Sequence, residues 1–421
     1  MRTPPSRRAA MAATAVPPPP PNSGGARSRA PDRLPGDVII AALAPHIRFS
    51  DHLAHRVVCR SWRRSCRLIG RAPPPFPWLM LPPHASAAAS GGPPGAPQRR
   101  VFYDIPGGRS YAYPVPASRR YLASRGGWLV LAASDPPRRR LELLNPITGM
   151  VVPVPWPFGE DPTTEGFHAV LTASLADPGC ILAVATDRLV RYCRPAVRGG
   201  WATLRAPGFR YDTACSDLVS VGATVYLMDE RRKLWRADLA AAEPKVERRD
   251  TAFALPQMLA GESARWRHYL VESLGNVLLV VTDDHHRRVG LYKLNWNMRL
   301  WVRMPASGLG DMVILLGRGC SAAVPASAAA GRAPGTVLVA RQPWRSTVQQ
   351  MGLNFCGGGG GGGEQPWFWT ETRLGTGLED DQLVVRKTVP QRPGEFTAGD
   401  SFWFFPAIDK MDCPPRQDGA A

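Results

Sequence analysis

Apolar residues follow two different rhythms along this chain. Between 32 and 70 they recur at helical spacing. Leu34-Pro35-Gly36-Asp37 opens a pattern that carries Ile39, Leu43 and Ile47 along one side. Proline suits a helix start, where its missing N–H would be unpaired in any case. Pro45 ends or kinks this segment. Ser50 is a good N-cap for a second helix, and Asp51 suits its positive end. Ala54, Val58, Trp62 and Cys66 then recur every four residues, with Leu53 and Val57 beside that row. The result is a wide apolar face, stopped by Gly70 and the prolines at 73–75.

From 101 onward the rhythm is that of β-structure. Short apolar runs at 128–132, 141–144, 181–186, 218–228, 268–273, 277–281, 289–294, 312–316 and 336–340 are separated by Gly, Pro, Asp and Asn. Eleven of the 13 Trp lie beyond residue 100. A loose repeat runs through 127–156, 181–201, 218–239 and 269–301, each unit closing on Trp or Leu. Propeller blades recur at roughly 40–45 residues, so about 300 residues would hold six or seven. Radial repetition buries many short strands without exposed edges. The expected fold is a small all-α module followed by a large all-β domain, a β-propeller.

The segments between are biased in composition. Residues 1–31 hold five Arg, no acidic residue and a proline run at 17–21, which reads as a disordered leader. The acid-free, Arg-rich character also fits an organelle transit peptide, although the proline run opposes the amphipathic helix such peptides form. Residues 71–100 read as a Pro/Gly/Ala linker with one apolar anchor, Phe76-Pro77-Trp78-Leu79-Met80-Leu81. The β domain is expected over 101–408, with a flexible glycine insert at 357–363 and a tail at 409–421.

Charge and cysteine content narrow the function classes. The chain has 421 residues and a net charge of +18. Such basicity is a common footprint of nucleic-acid binding. Here only five of the 52 basic residues are Lys. Arg, Ala, Gly and Pro all use GC-rich codons, so base composition alone explains the excess. The charges are also dispersed, which argues against nucleic acid. The longest apolar runs are strand-sized, so no membrane span is expected. The eight Cys form no C-x-x-C pair, and no secretory signal precedes them. They are expected to be reduced and inert, in cytosol or nucleus.

Candidate chemistry is sparse. Cys59 and Cys66 lack the partners of a zinc site. Asp283-Asp284-His285-His286 is a polar cluster better read as a solvated hairpin loop than as a metal site. The seven glycines at 357–363 are followed by no Lys-Ser or Lys-Thr and form no phosphate loop. No G-x-S-x-G, H-E-x-x-H or Walker motif is present. Neither catalytic residues nor a cofactor are expected. Asn145-Pro146-Ile147-Thr148-Gly149 is a turn signal, with Pro setting φ and Gly permitting a positive one.

Residues 33–67 resemble the F-box. The match runs through Leu34-Pro35, Asp37, Leu43, Asp51 and Leu53, and closes on Arg56-Val57-Val58-Cys59-Arg60-Ser61-Trp62-Arg63. Gly36 and Ala41-Ala42 depart from the larger or charged residues usual there. The remainder resembles the plant F-box family with a C-terminal propeller-like domain. The carrying motifs are 76–82, Phe102-Tyr103-Asp104-Ile105, 127–131, 143–149, Val225-Tyr226, 269–273 and Phe402-Trp403-Phe404-Phe405-Pro406. They thin out after Ala322, where Ala-rich and Gly-rich inserts intervene.

The resemblance implies a three-helix F-box that docks a Skp adaptor and, through it, a cullin–RING ubiquitin ligase. The propeller would present a protein substrate that the sequence does not identify. Leu34, Pro35, Leu43, Leu53, Val57, Val58 and Trp62 are the residues expected at the adaptor. A module of this size has little core of its own, so part of its apolar face is available to a partner. Trp62 fits equally well inside the helices. Two other classes stay open at this point. One is a non-ligase protein-binding propeller, organellar, with a vestigial F-box. The other is an enzyme on a propeller scaffold, which only fold analogy supports.

Overall fold

The computed structural model describes residues 76–81, then 99–340 with short gaps, then 369–374, 384–387 and 402–407. The residues before Phe76, with every F-box position, lie outside the described residues. The described chain forms six β-sheets, arranged as the blades of a propeller.

Blade 1 joins the two ends of the domain. Its strands are β1 (Trp78–Met80), β2 (Arg99–Asp104), β3 (Arg109–Pro114) and the C-terminal β25 (Phe402–Phe404), in the order β25-β1-β2-β3. The pairing Leu79↔Trp403 closes the ring. This corrects the linker reading for the apolar run alone; residues 71–75 and 82–98 lie outside the described residues. The apolar run at 76–81 is a buried blade strand, because its alternate side chains fill two different interfaces.

Blades 2 to 5 are antiparallel four-stranded sheets. Blade 2 contains β4 (Arg120–Arg125), β5 (Trp128–Ala133), β6 (Arg140–Asn145) and β7 (Met150–Pro155). Blade 3 contains β8 (His168–Leu171), β9 (Leu182–Ala185), β10 (Leu189–Cys193) and β11 (Ala202–Arg205). Blade 4 contains β12 (Cys215–Val221), β13 (Thr224–Asp229), β14 (Leu234–Asp238) and β15 (Val246–Arg249). Blade 5 contains β16 (Trp266–Ser273), β17 (Asn276–Asp283), β18 (Val289–Asn295) and β19 (Leu300–Arg303). Every apolar run marked in the sequence is a strand or strand pair of these blades or the next.

Blade 6 is irregular. It contains β20 (Met312–Leu316), β21 (Ala322–Pro325), β22 (Thr336–Ala340), β23 (Trp369–Arg373) and β24 (Val384–Lys387), in the order β21-β20-β22-β23-β24. The hairpin to β21 sends the chain back across the blade, so β20 and β22 pair in parallel. A sheet therefore continues past Ala322, where the sequence motifs thin.

Packing explains the strand patterns. β25, β4, β8, β12, β16 and β21 are the innermost strands, and successive blades meet along them. Middle strands are covered on both faces by neighbouring blades, so they read as unbroken apolar runs; β5 and β22 are buried throughout. Within β20, Val313 and Leu315 pack toward blade 1, whereas Ile314 and Leu316 pack toward blade 5. Outer strands β3 and β7 alternate mostly half-buried and exposed positions, and β7 carries Pro153 and Pro155 where a ladder donor is dispensable. Five apolar clusters fill the interfaces 2/3, 1/6, 3/4, 5/6 and 4/5.

Among the described residues, no helix is long and apolar enough to cross a membrane. Cys180, Cys193, Cys215 and Cys320 are buried thiols, and burial pushes the Cys193 thiol up to about 12.

Candidate functional site

The face of blade 1 turned away from blade 6 carries aromatic rings. Trp78 stacks on Tyr111 at 4.7 Å, and Phe102 meets Phe404 edge-on at 5.0 Å. At the inner end of this face lies a cavity of about 270 Å³. Its apolar wall includes Met80, Val115, Leu122, Leu131, Phe167 and Phe402. Its polar wall is Arg100, Arg119, Arg120, Tyr121, Arg318 and His168.

The six polar residues come from four places in the fold. Arg100 stands in β2, paired across the ladder with Tyr113. Arg119 and Arg120 sit where the connection from β3 enters the inner strand β4, and His168 opens β8. Arg318 is carried on the turn after β20. That turn is braced by a hydrogen bond from the Ser124 amide to the Gly319 carbonyl at 3.3 Å.

Glu142 compensates part of this positive charge. Arg119 donates to both carboxylate oxygens of Glu142, at 3.0 and 3.3 Å. Arg140 shares the same carboxylate at 2.8 Å. Arg100 Nε is buried without a hydrogen-bond partner among the described residues. Loss of hydration lowers its guanidinium to about 10. His168 is held near 3, first by burial and then by the charges of Arg318 and Arg120. Its ring is therefore neutral at physiological pH.

Deeper among the inner strands, polar side chains stitch blades together. Asp217 lies at a bulge in β12. It accepts the Leu218 amide at 2.9 Å and, across the interface, the Leu270 amide at 2.6 Å. Burial raises its carboxyl to about 7 despite these donors and Arg318, which favour the anion. Near the far ends of the inner strands, Arg125 donates to Ser220 at 3.0 Å.

The expected adaptor residues, Leu34, Pro35, Leu43, Leu53, Val57, Val58 and Trp62, all lie outside the described residues. So do Cys59, Cys66, His285 and His286. The Asn145 turn forms as its sequence implies. The buried Asn145 side chain accepts the Ile147 and Thr148 amides, each at 3.1 Å, and Gly149 takes φ 73°. The same side chain donates to the Ala407 carbonyl at 3.2 Å, which ties blade 2 to the residues after β25. Among the described residues no group of three His, Cys, Asp or Glu is placed to hold a metal. The arginine cavity was missed because Arg is abundant everywhere. No local pattern separates Arg100, Arg120 and Arg318 from the other arginines.

A family model, the KIB1-4 beta-propeller, matches residues 102–352. The chain belongs to this family. No curated protein sequence matches it. Among solved structures, Hsv2 of Kluyveromyces lactis is similar at 11% identity, covering 49% of this chain and 79% of that one, with a TM-score of 0.29. The WD40 domain of SCAP from fission yeast is similar at 10% identity, covering 49% and 48%, also with a TM-score of 0.29. PorZ of Porphyromonas gingivalis is similar at 13% identity, covering 56% and 27%, with a TM-score of 0.28. At these scores the likenesses carry no functional inference. Family membership and the six-sheet architecture rest on the sequence match and on the strand pairing of the chain itself.

Proposed function

We propose that this KIB1-4 propeller protein is the substrate receptor of a Skp–cullin–F-box ubiquitin ligase. One observation carries the reading. A segment with F-box register, from Leu34-Pro35 to Trp62-Arg63, precedes a KIB1-4 propeller in the same chain. Leu34, Pro35, Leu43, Leu53, Val57, Val58 and Trp62 would dock the Skp adaptor. The propeller would bind the protein to be ubiquitinated. The chain needs no catalytic group of its own in this role. It acts by raising the substrate's effective concentration near the ubiquitin donor. The setting is the cytosol or nucleus, where that machinery works.

Capture of purified Skp adaptor by the full chain tests the proposal. Binding is expected for the wild type and is expected to fall with Leu34→Ala/Pro35→Ala and with Trp62→Ala. A folded wild-type chain that never captures the adaptor would sink it. The acid-free leader favours a second reading, an organellar binding protein with a vestigial F-box. A fluorescent fusion confined to an organelle would select that reading instead.

A further inference from the structure

We propose that the two turn tips of blade 5 form a docking surface for a protein segment that presents a carboxylate beside large apolar side chains. The inference concerns the propeller alone and stands whether or not the F-box engages an adaptor.

The β16–β17 and β18–β19 turns lie at the same end of blade 5, and pairing of β17 with β18 sets them side by side, roughly 10 Å apart. They carry three exposed large apolar side chains: Leu274 is 74% exposed, Met298 60% and Trp296 44%. They also hold both of the described non-glycine residues with positive φ, Leu274 at 50° and Arg299 at 52°. Blade 2 shows that the fold requires none of this. Its first turn has a similar backbone, with Gly126 at φ 55° where blade 5 has Leu274. In its second turn Asn145 accepts the Ile147 and Thr148 amides at 3.1 Å, as Asn295 accepts those of Asn297 and Met298. The positions of Trp296, Met298 and Arg299 are filled there by Pro146, Thr148 and Gly149. Blade 5 thus replaces glycine twice, at a cost in backbone strain, and exposes apolar surface that blade 2 does without. Trp296 is also held in place: its ring centroid lies 5.6 Å from that of Tyr226 in blade 4.

Charge selects the partner. Arg299 is exposed and, among the described residues, is in no ion pair. The carboxylate beside the first turn, Glu272, already accepts the Gly275 amide at 3.0 Å. The tips therefore present apolar bulk with one cation, which an apolar segment bearing a carboxylate complements. Trp and Arg are enriched among the residues that dominate binding energy at protein interfaces, and Met adapts to the surface it meets. A second copy fits poorly. A twofold contact centred here would bring Arg299 toward Arg299, between chains of net charge +18. An anionic membrane fits poorly as well. Lying on this face it would meet the turns of every blade, and that of blade 4, Ala240-Ala241-Ala242-Glu243, offers it a carboxylate and no large apolar side chain.

Selection from a displayed library of random peptides, with the full chain as bait, tests the proposal. Enriched peptides are expected to carry Asp or Glu beside Leu, Ile, Phe or Trp. In calorimetric titration they are expected to bind the wild type at least about tenfold more tightly than Leu274→Gly/Met298→Thr/Arg299→Gly. That variant gives blade 5 the residues that blade 2 holds at the same turn positions, so it is expected to melt no lower than the wild type. Should it melt early, Arg299→Glu alone decides, by turning the selection toward peptides with Lys or Arg. No enrichment, peptides without a carboxylate, equal affinity for the folded variant, or a selection unchanged by Arg299→Glu would overturn the proposal. So would binding to vesicles of phosphatidylcholine and phosphatidylserine, or dimerisation in sedimentation, that the variant loses, because these assign the tips to a lipid surface or to a second copy. Leu34→Ala/Pro35→Ala should leave peptide binding intact, so failure of the ligase reading and failure of this one are separable.

Discussion

The indole Nε1 of Trp403 donates a hydrogen bond to the Leu316 carbonyl at 2.9 Å. One residue belongs to β25, the last described strand, and the other to the end of β20, so the bond clasps blade 1 to blade 6. Trp403 is fully buried, and its backbone pairs with Leu79 from the start of the domain. A ring closed by distant segments concentrates stability at that seam. Trp403→Phe retains most of the packing but strands a buried carbonyl, which costs about 1–3 kcal/mol. Trp403→Ala also opens a cavity and costs about 3–5 kcal/mol. Urea unfolding of the two variants is expected to rank them in that order; a Trp403→Phe variant as stable as the wild type would mean that the bond contributes nothing.

The hairpin between β16 and β17 turns on Leu274 and Gly275, with φ 50° and 75°. Both signs match the type I′ turn, which Asn-Gly fills best. Leu274 is strained by its Cβ and is 74% exposed, so its side chain gains little from burial. Leu274→Asn is expected to stabilise the protein by about 0.5–1 kcal/mol, read as a raised melting temperature. The equivalent turn in blade 2 is already Gly126-Gly127, with φ 55° and 86°. Unchanged or lower stability would show that the leucine makes a compensating contact.

Gly319 is the least replaceable glycine near the cavity. It takes φ 68°, and a Cβ there would collide with the Leu122 carbonyl oxygen of the inner strand β4. Its neighbour Arg318 depends on that close approach for its position. Gly319→Ala is expected to destabilise by about 2 kcal/mol or more through backbone strain and displacement. Circular dichroism melts check this. A normal melt would show that the turn can relax without loss.

Much of the propeller was legible because each middle strand is buried on two faces. The runs at 128–132, 141–144 and 277–281 survive in composition as β5, β6 and β17. Inner strands were harder. β12 carries Asp217 at a bulge and β8 begins with His168, so both break the apolar signal for reasons tied to the inter-strand network. Outer strands such as β3, Arg-Ser-Tyr-Ala-Tyr-Pro, look like loops because one side meets solvent. The closure of 78–80 on 402–404 is a pairing across almost the whole domain, which no local pattern encodes. The cavity was illegible for a similar reason. Arg100, Arg120 and Arg318 are far apart in sequence, and in an arginine-rich chain only folding distinguishes these three.

His168 and Asp217 make opposite demands on pH. The imidazole is depressed to about 3, chiefly by burial, from the 6.5 of an exposed ring. The unfolded chain therefore takes up that proton more readily. The associated stability is complete above pH 6.5 and is lost as the pH falls toward 3. At one pKa unit per 1.36 kcal/mol, the loss between pH 6.5 and 5 is on the order of 2 kcal/mol. Asp217 is raised from 3.8 to about 7, so the folded state holds its proton more tightly. Its contribution is complete below pH 3.8 and is lost as the pH rises through 7. The two slopes oppose each other between about pH 4 and 7. Removing one should expose the other. His168→Gln is expected to lose stability steadily as pH rises across this window, and Asp217→Asn is expected to gain it. Guanidinium unfolding at pH 5, 6 and 7 gives the slopes directly. Parallel profiles in the two variants would show that neither group titrates as its burial implies.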